Sequence, residues 1–273
     1  MKKLKIKNDR FDFMVKPLML LSLFSIIIYV LKLFGIEDAD TLYSAAVFIT
    51  VVFVFMKNTK SIKQARLFIT LTILFIIIYI CFYDSIVKVL IEFAKNSAIK
   101  FSMINTIFNT VGLYDFQNLA DTASYGGSFL INSQIVNGAV NIFKMNSASK
   151  VISQFLTYRF LFLFSLVGIL LSIGRRNINI CFIVLAACLT GNYTAILLLL
   201  LFVFPVYYLI ALISSFACCF ISSVIGIKFG FLCSPSVFEL FIHNENKIYA
   251  VVVCVLVLCV SYYSASLVKE KLT

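Results

Sequence analysis

Long apolar runs, each closed by a short polar or charged cluster, alternate along the whole chain of 273 residues. A helix needs about 20 apolar residues to cross a bilayer, and several of these runs approach or exceed that length. Spanning helices are predicted at Pro17–Phe34, Leu42–Met56, Leu67–Tyr83, Val151–Ile173, Ala195–Gly226 and Ile248–Val268. The pattern therefore predicts an all-α, polytopic membrane protein with a single membrane-embedded domain over residues 1–273.

Three further apolar segments are interrupted by polar residues or are too short to cross alone. Ser97–Phe116 contains a lysine and two asparagines, Lys228–Ile242 has a Ser-Pro-Ser in its middle, and the short run Ile178–Leu189 leads into Thr190–Thr194. We call Thr190–Thr194 the hinge. Broken backbone is stable at membrane depth only where protein or a water-filled cavity covers it. We therefore predict about seven to eight spans plus re-entrant hairpins that line a cavity.

Three local patterns refine this picture. Apolar residues recur at helical spacing between charges in Asp84–Asn96, which predicts one amphipathic helix at the interface or against the bundle. Gln117–Lys150 is the only long polar segment, and we interpret it as a loop with some local structure. Pro205 predicts a kink in the long run Ala195–Gly226.

The net charge of +11 comes from basic residues at the ends of apolar runs. That distribution is typical of the positive-inside rule, so the lipid bilayer rather than nucleic acid is the expected partner, with both termini cytoplasmic. The eight cysteines form no CxxC pair and the chain has one histidine, so we predict no metal site and no cofactor. The basic N-terminal segment before Pro17 is followed by a long apolar run without a small-residue site for signal-peptide cleavage, which predicts a retained first helix.

Three stretches carry a resemblance to a known family, and the first is the hinge with the run that follows it, CLTGNYTAILLLLLFVFP. It is similar to F-L-T-G-I-T-E-P-I-E-F-S-F-L-F-V-A-P and fits without a gap. The other two, MINTIFNTVGLYDF and IGIKFGFLCSPSVFEL, resemble F-L-N-R-L-L-I-P-F-G-L-H-H-I and L-G-V-R-x-G-F-S-F-S-A-G-L-I-D-Y in the same order. The matching residues are Asn105, Gly112, Leu113, Leu189, Thr190, Gly191, Ile196, Phe202, Val203, Pro205, Gly226, Lys228, Gly230, Phe231, Ser234 and Glu239.

On these stretches the chain resembles the membrane-embedded permease (IIC) domain of the glucose and N-acetylglucosamine type sugar phosphotransferase system (PTS). Residues 63–273 match well. Residues 1–62 match poorly, because the N-terminal part of this chain is shorter than that of the family. The resemblance implies a permease for a hexose in the bacterial plasma membrane. It also implies a homodimer that works with separate IIA/IIB phosphocarrier proteins, since no phosphoryl-carrying domain is expected within this chain.

The departures from the family pattern lie at the sugar-binding positions. The acids of the family hinge fall on Thr194 and Leu197, and its histidine pair falls on Tyr114 and Asp115. A carboxylate makes charge-assisted hydrogen bonds to hydroxyls, whereas threonine offers weaker neutral ones. The resemblance therefore implies a permease that is degenerate at its sugar site. A non-transporting pseudo-permease that acts as a membrane partner or regulator is the alternative.

Six residues are the candidate substrate-binding set, with no catalytic residue among them. They are Asn105, Tyr114, Asp115, Asn192, Tyr193 and Thr194. Asp115 could replace the lost acid, or it could be an exposed acid at the end of a loop. Arg159, inside a predicted span, could bind phosphate or an acid, or it could snorkel or pair within the protein. The tyrosines and Asn192 could line a cleft or serve ordinary packing.

Overall fold

The computed structural model describes residues 2–36, 39–58, 70, 98–110, 128–131, 134–145, 150–173, 178–225, 229–243 and 247–272. The helices are α1 (Lys2–Leu33), α2 (Ala39–Asn58), α3 (Ala98–Thr110), α4 (Ala139–Lys144), α5 (Lys150–Ile173), α6 (Ile178–Thr190), α7 (Thr194–Val203), α8 (Pro205–Ile225), α9 (Val237–Ile242) and α10 (Lys247–Leu272). The strands are β1 (Ser128–Ile131) and β2 (Gln134–Asn137). The predicted element Asp84–Asn96 lies outside the described residues, and so does Leu67–Tyr83 apart from Thr70.

Four of these helices are long and apolar enough to cross a membrane. The qualifying stretches are Met14–Leu33, Leu156–Ile173, Pro205–Val224 and Lys247–Lys269. The prediction of a mostly helical membrane protein is confirmed in this respect. Helix α2 matches the predicted Leu42–Met56 closely, and its apolar part, Leu42–Val54, is shorter than a usual span.

The first helix begins much earlier than predicted. Helix α1 starts at Lys2 and contains Pro17, whereas the sequence pattern placed its start at that proline. A proline inside a helix removes one backbone hydrogen bond. Five of the fifteen residues from Lys2 to Lys16 are lysines, which favour helix, and α1 extends through the proline.

The polar segment Gln117–Lys150 contains an antiparallel hairpin and a short helix. Strands β1 and β2 pair with Ser128 opposite Asn137 and Leu130 opposite Ile135. Helix α4 follows directly and packs against α5. The prediction of a loop with local structure is confirmed here, and the all-α description needs this hairpin added to it.

The long run after the hinge is divided at the predicted proline. Helix α7 ends at Val203, Phe204 lies outside both helices, and α8 begins at Pro205. Proline suits the first helical position because its missing N–H has no partner there in any case. The residue before a proline is displaced from the helical region, and Phe204 has φ −134° and ψ 63°. The predicted kink is thus a complete break between two helices.

Helix α5 is the centre of the bundle, and α10 is its most extensive neighbour. Gly168 of α5 lies directly against the backbone of α10, as small residues allow between membrane helices. Ser261 donates a hydrogen bond to Ser165 Oγ at 2.8 Å. Lys269 Nζ donates to the carbonyl oxygens of Ser172 and Ile173 at 3.3 and 3.2 Å, which satisfies carbonyls that the end of α5 leaves open.

One end of the bundle gathers the termini of three long helices around residues 229–236. We call this segment the Pro235 loop, and this end the loop end. Phe229 N–H donates to Thr157 Oγ1 at 2.8 Å in the first third of α5. The Phe229 ring lies 6.3 Å from that of Tyr249 in the first turn of α10. Tyr29, near the C-terminus of α1, lies within 3.3 Å of Ser236 Oγ.

We expect reporters fused at residues 1 and 273 to be active on the same side of the membrane. The C-terminus of α1 and the N-terminus of α10 meet at the loop end, so the opposite ends of both helices lie together. The basic N-terminal segment predicts that this side is the cytoplasm. A cytoplasmic fluorescent reporter and a reporter active only outside test both positions. Activity of one terminus on each side would contradict the arrangement.

We expect Gly168→Val to destabilise the protein by about 1–3 kcal/mol, the usual cost of overpacking. A Cβ at Gly168 would contact the carbonyl oxygen of Leu258 and lie 3.1 Å from the Tyr262 nitrogen, and neither backbone atom of α10 can move aside. The thermal midpoint of the purified protein in detergent measures the loss. Leu171→Val, an exposed position on the same helix, is the control. Equal midpoints for the two variants would contradict this packing.

Candidate functional site

Helix α3 turns its polar face toward the protein. Met103 and Ile107 on the other face are exposed, although both are apolar. The buried polar residues are Ser102, Asn105, Thr106, Asn109 and Thr110. An apolar surface suits lipid, whereas hydroxyls and amides need partners inside a membrane protein. This distribution identifies a polar interior next to α3.

Two asparagines connect α3 with α5 and with the hinge. Asn105 Nδ2 donates to Tyr158 Oη at 2.7 Å. One turn further along, Asn109 Nδ2 donates to Tyr193 Oη at 3.4 Å. The Tyr193 ring is fixed in turn by an edge contact with Phe162, with 5.1 Å between the ring centres. Helix α3 therefore runs beside α5 in the same direction, from the loop end inward.

Two threonines connect α3 with α8. Thr106 Oγ1 lies 2.8 Å from Ser215 Oγ, and Thr110 Oγ1 lies 3.1 Å from Tyr208 Oη. Ser215 also donates to the Ser102 carbonyl oxygen at 3.1 Å. From Thr106 to Thr110 along α3, the contacting residue on α8 changes from Ser215 to Tyr208, so these two helices are antiparallel. Together the side chains on both sides of α3 form what we call the polar cluster: Asn105, Thr106, Asn109, Thr110, Tyr158, Tyr193, Tyr208 and Ser215.

One acceptor in the polar cluster is left open. Asn105 is fully buried, and its Oδ1 has no hydrogen-bond partner among the described residues. A buried polar atom without a partner costs about 1–3 kcal/mol, so such atoms usually mark a place for water or a ligand. The open acceptor can take a hydrogen bond from a hydroxyl or an N–H.

Side chains of the hinge between α6 and α7 accept hydrogen bonds from the backbone of the hinge itself. Asn192 N–H donates to Thr190 Oγ1 at 3.2 Å, and Thr194 N–H donates to Asn192 Oδ1 at 3.1 Å. Thr190 Oγ1 in turn donates to the Ala186 carbonyl oxygen at 2.8 Å. The polar residues of the hinge thus supply partners for backbone groups that the break exposes, which side chains commonly do at helix ends.

The Pro235 loop closes directly on the hinge. Ser234 Oγ donates to the Thr190 carbonyl oxygen at 2.6 Å. Gly191 has φ +69°, and a Cβ there would lie 2.7 Å from the carbonyl carbon of Pro235 and 2.8 Å from the Ser236 nitrogen. Only glycine permits this conformation and this approach together. Two of the three predicted broken segments therefore meet in the interior.

Glu239 holds the Pro235 loop in shape. It is the one carboxylate among the side chains that the structure describes, and it is buried. Its two oxygens accept the N–H groups of Leu232 and Cys233 at 3.0 and 3.1 Å. His243 Nε2 lies 3.3 Å from Oε2. Burial, and then the nearby carboxylate, raise the pKa of the Cys233 thiol above its usual range, so this cysteine is a poor nucleophile.

Arg159 lies next to the polar cluster and is fully buried. Its guanidinium carbon is 5.3 Å from the centre of the Phe231 ring, an arrangement that stabilises a cation. The alternative of a snorkelling arginine is wrong, because the side chain does not reach the surface. Among the described residues, no group of three or more His, Cys, Asp or Glu side chains could hold a metal ion.

The predicted site residues have different surroundings. Asn105 and Tyr193 both belong to the polar cluster, Tyr193 through its contact with Asn109. The Asn192 side chain accepts a bond from the hinge backbone, and Thr194 is buried as the first residue of α7. Tyr114 and Asp115 lie outside the described residues.

Sequence reasoning missed the partners of α3 on the long helices. They are Tyr158, Tyr208 and Ser215. The last two are seven residues apart, and so on one face of α8, which is the signal that could have found them. Tyr158 has no such signal, because a tyrosine within an apolar run is equally compatible with packing.

No protein-family model matches this chain, and no curated protein is similar to it in sequence.

We expect Glu239→Gln to loosen the Pro235 loop and to increase alkylation of Cys233 by roughly tenfold relative to Cys181, which corresponds to about 1.4 kcal/mol. The amide loses the charge and one of the two acceptors that hold Leu232 and Cys233. Cys181 is exposed near the start of α6, outside the four long spans, and serves as the internal reference. Maleimide labelling followed by peptide mass spectrometry gives the ratio. Ser264→Ala, a distant exposed position, is the control, and an equal ratio in both variants would contradict the role of Glu239.

Proposed function

We propose that this chain is a membrane protein of the sugar-permease type, similar to the PTS IIC domain, with the polar cluster as its solute site. The observation that carries the proposal is the open acceptor, Asn105 Oδ1, buried where α3, α5 and α8 converge. A hydroxyl-rich neutral solute has the donors that this acceptor needs. The proposed location is the bacterial plasma membrane with cytoplasmic termini.

The length of α3 and the positions of its start and of α4 support the proposal that α3 belongs to a re-entrant segment. Helix α3 has 13 residues and is about 20 Å long, too short to span. It starts toward the loop end, because it runs parallel to α5 from there. Helix α4 lies at the loop end too, since the Phe143 ring lies directly against Gly230. The start of α3 and helix α4 are therefore on one side, as are the two ends of segments that enter and return beside a transport site.

The neutral character of the polar cluster defines what it could bind. Its members are amides and hydroxyls, which complement sugar hydroxyls but lack charge-assisted bonds. Of the two positions where the family has acids, Thr194 is buried at the start of α7 and Leu197 is buried in the apolar core. Each charge-assisted bond contributes about 1.5–3 kcal/mol, so the loss of two lowers sugar affinity by orders of magnitude.

A second candidate is a non-transporting pseudo-permease that acts as a membrane partner or regulator. A specific observation favours it: several polar groups already satisfy one another. Thr106 pairs with Ser215, Thr110 pairs with Tyr208, and Asn192 is bonded to the hinge backbone. A polar cluster that is largely satisfied internally can serve helix packing instead of solute binding. In this case separate IIA/IIB phosphocarrier proteins and a hexose would not be partners.

We expect little or no glucose or N-acetylglucosamine uptake by the unmodified chain in cells without their own sugar permeases, even when phosphocarrier proteins are present. Radiolabelled sugar uptake measures this. Thr194→Glu together with Tyr114→His restores a charged pair, and the new carboxylate lies in the first turn of α7, where a helix favours negative charge. Sugar binding to this purified variant should exceed that of the unmodified chain by about tenfold or more.

The matched control combines Thr194→Gln with Tyr114→Phe, which has similar volume without charge. Equal binding by both folded double variants would favour the pseudo-permease. Robust uptake by the unmodified chain that Asp115→Ala abolishes would show that Asp115 replaces the lost acid, and would contradict the proposed weakening of the site.

A further inference from the structure

The β1–β2 hairpin is connected by packing to the first turn of α10, where the candidate span Lys247–Lys269 begins. Helix α4 follows the hairpin directly, and its Phe143 ring lies against the backbone of Gly230. The neighbouring Phe229 contacts Tyr249 in the first turn of α10, with 6.3 Å between ring centres. These contacts connect the hairpin to the end of a spanning helix through two steps of packing.

The first turn of α10 has the side chains of a membrane boundary. Lys247 and Tyr249 are exposed there, and Ile248 is 83% exposed. Lysine and tyrosine are typical of the zone between headgroups and acyl chains, where a charged or polar tip and an apolar stem are both accommodated. An exposed isoleucine at this level is covered by lipid.

One face of the hairpin carries an exposed apolar pair. Leu130 and Ile135 lie opposite each other in the strand register and are 68% and 71% exposed. Ser128 and Asn137, the neighbouring pair on this face, are hydrogen-bonded to each other. Val136, the next residue of β2, faces the other side and packs against the core. Lys144 at the end of α4 is exposed, and its charge acts on the Cys233 thiol in the Pro235 loop.

We propose that the Leu130–Ile135 face is a membrane anchor that inserts into the boundary between lipid headgroups and acyl chains. Three observations specify lipid as the occupant. The exposed pair is apolar, it is connected by packing to the first turn of α10, and Lys144, at the end of the helix that follows the hairpin, complements the phosphate of anionic headgroups. The anchor fixes the height of the segment between α3 and α5 relative to the bilayer.

The chain contains no tryptophan, so a single introduced tryptophan reports its own surroundings. The test uses the full-length protein in vesicles of phosphatidylcholine and phosphatidylglycerol, with Ile135→Trp as the probe. Gln134→Trp is the matched control, because neighbouring residues of a strand point to opposite faces and Gln134 is also exposed. Ile248→Trp is the reference for a side chain at the boundary. Quenching by lipids brominated near the headgroup is compared with quenching by aqueous iodide.

We expect Ile135→Trp to match Ile248→Trp, with blue-shifted emission, strong quenching by brominated lipid and loss of most iodide quenching relative to Gln134→Trp. Leu130→Trp provides a second probe if the first variant does not fold, and it should behave in the same way. The proposal is overturned if the probes at 130 and 135 are quenched by iodide as strongly as Gln134→Trp while Ile248→Trp is quenched by lipid. That result would instead mark the face as open to water and available to a protein partner.

Discussion

The close contact of Gly191 with Pro235 and Ser236 is the interaction on which the interior of this protein depends. Two segments of irregular backbone meet there, and Gly191, Pro235 and Ser236 are buried from water, so their polar groups need partners within the protein. Each segment brings its own partners: Asn192 and Thr190 bond the hinge, while Glu239 holds the loop. Ser234 then joins the two through the Thr190 carbonyl. Loss of the glycine would separate segments that cannot be stable apart.

The position of the buried carboxylate, Glu239, follows from the same need of buried polar groups for hydrogen-bond partners. The hinge contains no ionisable group, yet a buried carboxylate lies just across the contact, at Glu239. A charge is costly inside a membrane unless hydrogen bonds compensate it, and two backbone N–H groups do so here. The charge is therefore engaged in holding the backbone and is not available to a solute. The charge thus stabilises the Pro235 loop from outside the hinge, and this explains how the break between α6 and α7 keeps its geometry although the hinge is neutral.

Much of the architecture was predictable because lipid imposes a simple pattern. Apolar length predicted α5 and α10 to within a few residues, and the polar run Thr190–Thr194 and Pro205 predicted the breaks. The start of α1 was not predictable from a proline rule, since a membrane helix tolerates proline that packing supports. The β1–β2 hairpin lacks the periodicity of a long strand, so short-range patterns could not identify it.

The candidate site was less predictable, because its partners lie on elements far apart in sequence. Asn105 stood out as a polar residue in an apolar segment, but Tyr158 and Ser215 lie in runs that are equally suited to packing. Their role arises only when α3 turns its polar face toward α5 and α8. A neutral cluster of this kind can hold helices together or hold a solute, and the difference lies in unsatisfied groups. The open oxygen of Asn105 is such a group, and within hydrocarbon its free-energy cost persists until water or a ligand donates to it.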